Sequence, residues 1–334
     1  MKAINYNFWM KVRILLHTIL RLKPNKRRFN NDINSRFESN KIISNAIKSG
    51  KPFMAAKLGE SELEVLRNYY AIERSQKKDC LLYRIIDFIK YGERVEWTGL
   101  NTIVKDSGFF PKKEELLYKF SELYISQIKI IDFFATAATM KGWYNNKGED
   151  FIINKLNKSA TILTTEIFDP FLFLETSWTI QLKGKKVLVI HPFEHSILNN
   201  YKNRLLQFPI PLLPNFVLIT LKAEQTIANS TSNFINWFEA LKYMQNKIDK
   251  IEFDIALIGC GAYGLPLAGY IKSVKHRQAI HIGGALQLYF GIKGNRWNTH
   301  PIISSFYNEY WTKPTFSETP ENVNRFGSGD RDYW

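Results

Sequence analysis

The stretch FDIALIGCGAYGLPLAGYI, residues 253–271, decides the fold class. An apolar run comes first, then Gly259, Gly261 and Gly264 in G-x-G-x-x-G spacing, then a helix-forming segment. Glycines at a strand-to-helix turn let backbone approach an anion closely. The helix N-terminus adds free N–H groups and the positive end of a dipole. The same glycines also suit a plain tight turn, the commoner use of an isolated motif of this kind. A nicotinamide dinucleotide site further needs an Asp or Glu at the end of the next strand, about 20 residues on, to hold a ribose. That strand is QAIHIGG (278–284), which ends on His281, Gly283 and Gly284 without a carboxylate. The motif also lies late in the chain instead of in a leading βαβ unit. A dehydrogenase fits poorly.

Working outward, KKVLVIHPF (185–193) reads as a buried strand, and FVLITLKA (216–223), FDIALIGCG (253–261) and QAIHIGG read as strands. Helical patterns separate them over HSILNNYKNRLLQF (195–208), TSNFINWFEALKYMQNKI (231–248) and AYGLPLAGYIKSV (262–274). In the first half, PFMAAKL (52–58), IKIIDFFATAA (128–138) and SATILTT (159–165) are strand-like. Helices are expected over 35–49, stopped by Gly50 and Pro52, and from Gly59, over 77–92 and over 113–129. The alternation predicts an α/β protein with a Rossmann-like, doubly wound, mainly parallel sheet. Ligands in such sheets bind at the carboxyl ends of the strands. That rule points to Gly59–Glu62, His191–Ser196, Lys222–Gln225, Gly259–Gly264 and His281–Gly284. One α/β domain over 36–311 is expected, with a basic N-terminal arm over 1–35 and a polar tail over 312–334 that wraps the surface.

The 334 residues include two cysteines, too few for a disulfide framework, and no C-x-x-C pair that would suggest zinc. A reducing cytoplasm fits. The formal net charge of +15 attracts anionic partners: nucleic acid, an anionic membrane surface or phosphorylated ligands. The basic residues are scattered and no nucleic-acid-binding signature occurs, so no nucleic-acid partner is expected. In FWMKVRILLHTILRLK (8–23), apolar residues recur at helical spacing among five basic ones. Charges this frequent exclude a membrane-spanning helix. They leave a basic amphipathic helix, either peripheral on the inner face of the cell membrane or docked on the core.

The acidic stretch AAKLGESELEVL (55–66) sets Glu60 and Glu62 one residue apart where a strand gives way to a helix. Such a pair suits a divalent cation, Mn²⁺ or Mg²⁺, that bridges to a diphosphate. It equally suits helix capping and the helix dipole. Residues 53–66 resemble the strand-loop-helix of the GT-D type glycosyltransferases, whose pattern runs roughly R-x-G-D-x-E. Lys57 stands at the arginine, Gly59 at the glycine, Glu60 at the aspartate and Glu62 at the glutamate. LKGKKVLVIHPF (182–193), AIHIGGALQLYFGIKGNRW (279–297), SGFFP (107–111) and HPIISSFYNEYW (300–311) resemble segments of related bacterial proteins linked to surface-polysaccharide synthesis. The resemblance implies a GT-D-like fold, a nucleotide-sugar donor, in all expectation uridine-linked, and a growing glycan acceptor, free or lipid-linked. It also implies a metal held by Glu60 and Glu62.

Other residues complete the candidate site. His191 and Ser196 lie in the loop HPFEHS, a place for an anion or a general base. Lys293 and Arg296 in FGIKGNRW are placed to clamp a diphosphate. A transferase base must take the acceptor hydroxyl's proton, and Asp169, Glu166 and Glu194 all qualify. Asp169, before Pro170, also suits a turn. The alternative to an enzyme is a non-catalytic nucleotide- or glycan-binding module of a polysaccharide assembly complex.

Overall fold

The structure, a computed structural model, describes residue 15 and residues 34–77, 96–137, 149–169, 172–227, 232–320 and 333–334. The helix expected over 8–23 lies outside the described residues apart from Leu15, and the one over 77–92 apart from Lys77. Seven strands form one sheet: β1 (Met54–Ala56), β2 (Phe133–Thr136), β3 (Thr161–Thr164), β4 (Lys186–His191), β5 (Val217–Lys222), β6 (Ile255–Ile258) and β7 (Gln278–His281). Their order is β3-β2-β1-β7-β6-β4-β5, and every pair is parallel. This is a Rossmann-like α/β fold. Helices on both faces bury the central strands, which is why IALI and QAIH carry no polar alternation.

One face carries α2 (Glu60–Lys77), α3 (Gly99–Ser107), α4 (Glu115–Ile128), α5 (Glu149–Leu156), α7 (Trp237–Ile248) and α8 (Gly264–Ser273). The other carries α1 (Arg36–Lys48), α6 (Glu194–Tyr201) and the 3-10 segments Trp178–Leu182 and Gly283–Phe290. A short α9 (Pro301–Ser304) follows. The neighbours β1 and β7 therefore lead to opposite faces: β1 feeds α2 on the first, β7 feeds Gly283–Phe290 on the second. In open α/β sheets a ligand crevice belongs where adjacent strands diverge in this way, at their carboxyl ends.

Two helices escape the sequence pattern. α3, GLNTIVKDS, starts on a glycine and lacks a side-chain N-cap. Contacts from α2 hold it: Thr98 and Thr102 hydroxyls donate to the Glu64 carboxylate at 3.0 and 3.1 Å, and Asn68 accepts from the Gly99 N–H at 3.0 Å. α5 follows a stretch outside the described residues. α6, expected to reach residue 208, stops at Tyr201. Leu205 and Leu206 beyond it are about half exposed, so no core face continues the helix.

Candidate functional site

Lys57 follows β1 directly and lies against the second residue after the end of the neighbouring strand β7. Gly283 has φ +77°, and a Cβ there would sit 2.9 Å from Lys57 Cε. Glycine is required twice at this position, for the left-handed backbone and for the amine that occupies its side-chain space. Two residues on, Gly59 packs against the Glu62 carboxylate. Glu62 is 5 % exposed and takes a hydrogen bond from Ser107 at the end of α3. Burial raises its pKa, against its own backbone N–H, Ser107 and the Lys57 charge, while Asp106 adds to the rise.

Asp169, Arg296, Tyr289 and His281 complete the cluster. Asp169 follows the 3-10 turn Thr165–Phe168 at the end of β3. Burial lifts its carboxyl to about 6 despite the attraction of Lys57 and Arg296, and Glu166 adds to the rise. Lys57 is lowered by burial first and by Arg296 second, while Glu62, Asp169 and Glu149 pull the other way. Glu149, at the start of α5, is itself buried and accepts from the Thr136 hydroxyl at 2.7 Å. Tyr289 is 1 % exposed, its hydroxyl has no partner, and burial first and the Asp169 charge second raise its pKa. His281 is pushed down to about 3 by burial and then by Lys57, so its ring is neutral, and Nδ1 has no partner. The carboxyl ends of β3, β2, β1 and β7, adjacent in the sheet, thus supply two cations, three carboxylates and two unpaired polar atoms to one crevice.

The remaining sequence candidates sit elsewhere or do other work. Glu60 and Glu62 both fall in the first turn of α2, with Glu60 exposed and Glu62 buried. Residues two apart on a helix do not face each other, so this pair does not converge on one cation. Among the described residues no group of three His, Cys, Asp or Glu side chains is arranged to hold a metal. The donor set does not fit the metal that the resemblance implies, and the reason is the helical geometry of residues 60–62.

The glycine turn is filled by the protein itself. A Cβ at Gly259 would meet the Gly283 carbonyl at 2.7 Å, and one at Gly261 the Ser107 carbonyl at 2.9 Å. Gly264 packs against the His281 ring. Close packing of β6, β7 and α3 accounts for all three glycines. His191 is buried, is pushed down to about 3 by burial, and accepts from the Phe193 N–H at 3.0 Å. The anion on the HPFEHS loop is internal: Glu318 accepts from the His195 N–H at 2.7 Å and from the Ser196 hydroxyl at 2.5 Å. So the tail, expected on the surface, sends Glu318 to the N-terminus of α6 and Trp334 into the core. Lys293 lies 5.1 Å over the Tyr307 ring.

Lys57, Glu62, Asp169 and Arg296 were legible as candidates, and the structure brings them together. Tyr289 and Glu149 carry no local signal. Gly283 and His281 did appear, in a strand-end loop, without a role.

The crevice pairs cations that repel each other, which an anion between them would relieve, with a carboxylate that titrates near neutrality. That combination suits an anionic ligand with a proton transfer beside it. No family model, no curated protein and no solved structure matches the chain.

Proposed function

We propose that the chain is a glycosyltransferase of the GT-D type that moves a sugar from a uridine diphosphate-linked donor to a glycan acceptor in bacterial surface-polysaccharide synthesis. The observation that carries this reading is the meeting of Lys57, Arg296 and Asp169 at the carboxyl ends of β1, β7 and β3. Lys57 and Arg296 receive the diphosphate, Arg296 through its forked donors. Asp169 takes the proton of the acceptor hydroxyl. The acceptor oxygen then bonds to the anomeric carbon as the bond from that carbon to the diphosphate oxygen breaks. The charge that develops on the departing diphosphate is met by the two cations. In this reading they do the work that the resemblance assigns to Mn²⁺ or Mg²⁺. The basic helix expected over 8–23 brings the enzyme to a lipid-linked acceptor at the inner membrane face.

The test is a thermal-shift panel of UDP, GDP, CMP, dTDP and NAD, with and without Mn²⁺. The proposal expects stabilisation by UDP without metal, lost in Lys57→Met and Arg296→Ala. It also expects slow hydrolysis of a UDP-sugar by the wild-type protein. Binding without any turnover would favour the non-catalytic module, and stabilisation by none of the nucleotides would overturn the proposal.

A further inference from the structure

Tyr333 and Trp334 dock beside the crevice, next to residues that the reading above gives a role. The Tyr333 ring packs against Gly284, the residue after the one that faces Lys57, and a Cβ at Gly284 would strike the ring. The Tyr333 carbonyl accepts from Gln287 Nε2 at 2.9 Å, and the Trp334 carbonyl from the Asn295 N–H at 3.3 Å. Trp334 Nε1 donates to the Glu318 carbonyl at 3.0 Å. Thus fixed, the Tyr333 hydroxyl accepts from Arg296 Nη1 at 2.9 Å. The guanidinium carbon also lies 5.3 Å from the ring centres of both Trp297 and Tyr333.

Arg296 is exposed, and a free arginine on the surface loses most of its rotamer freedom when a ligand immobilises it. A guanidinium already held against two rings and a hydroxyl has lost that freedom in advance. We propose that Tyr333 is a positioning residue of the donor site, which holds the Arg296 fork toward the diphosphate. This rests on the diphosphate reading above. It adds that the far end of the chain sets the affinity for the phosphorylated ligand without touching the reacting atoms.

The measurement is the dissociation constant for UDP, by calorimetry on the full chain, in six proteins: wild type, Tyr333→Phe, Gly284→Ala, Arg296→Ala, and the two double variants that combine Arg296→Ala with each of the other changes. Tyr333→Phe keeps the ring and removes only the hydroxyl, and should weaken UDP about tenfold with an unchanged melting temperature. Gly284→Ala displaces the ring without altering Tyr333, and should weaken UDP by at least as much. In an Arg296→Ala background neither change should have a further effect, because the group they position is gone. A merely structural role would lower stability and add in full to Arg296→Ala. If wild type and Arg296→Ala differ while Tyr333→Phe binds like wild type, the positioning role is overturned and the diphosphate reading stands. If wild type binds no UDP, both fall.

Discussion

Replacing Asp169 by Asn should make the protein more stable and inactive at once, and the gain should depend on pH in a calculable way. The Asp169 carboxyl rises from 3.8 to about 6 because burial in the crevice disfavours its charge. Below pH 3.8 the group is neutral whether the chain is folded or not, and costs nothing. Above pH 6 it is charged in both states, and the folded one bears the burial. The stability that protonation lends is therefore lost as the pH climbs through the folded value. A gap of about 2.2 at about 1.36 kcal/mol per pH unit makes the cost about 3 kcal/mol at pH 7.5. At pH 5 it falls to about 1.6 kcal/mol. An unfolding entropy of about 2.1 cal/mol/K per residue over 334 residues is about 0.7 kcal/mol/K. Asp169→Asn, which resembles the neutral acid, should then melt about 4 °C above wild type at pH 7.5 and about 2 °C above it at pH 5. Calorimetric scans at the two pH values measure both shifts. An Asn variant no more stable than wild type at pH 7.5, or a gain equal at both values, would refute the burial argument.

Three further outcomes follow from the same residues. The acid limb of the pH profile for sugar transfer should lie near 6, where Asp169 becomes the available base; a limb near 4 would assign the proton to another group. Transfer in chelator-treated buffer should stay within about twofold of that in Mn²⁺ under the proposed mechanism, in which Lys57 and Arg296 meet the diphosphate charge; a loss of about a hundredfold would restore a metal. Glu318→Ala leaves the Ser196 hydroxyl and the His195 N–H at the start of α6 without their shared acceptor. It should cost about 2–3 kcal/mol in urea unfolding, and an unchanged midpoint would count against that anchor.

The sequence by itself determined the sheet. The strands were legible because a strand buried on both faces must be a continuous apolar run, and such runs stand out between turn residues; the edge strand β5 keeps the apolar run although it is only partly buried. It also offered Lys57, Gly59 and Glu62 through the resemblance, and Asp169 and Arg296 as charged loop residues, with capping and turn roles equally open to Glu62 and Asp169. What it left open, or pointed to differently, depended on contacts between distant segments. Whether Glu60 and Glu62 converge is set by the residue at which α2 begins. Whether the glycines at 259, 261 and 264 face a ligand or the protein is set by Ser107, His281 and Gly283, which close on them from other elements. The anion for α6 comes from Glu318, which is 122 residues away along the chain. Tyr289 joins the cluster, and Tyr333 docks beside it, only once β7 lies beside β1. Hydrophobic periodicity is a local property, so one chain displays it in full. Electrostatic and steric complementarity is a property of pairs, and only the tertiary structure chooses the pairs.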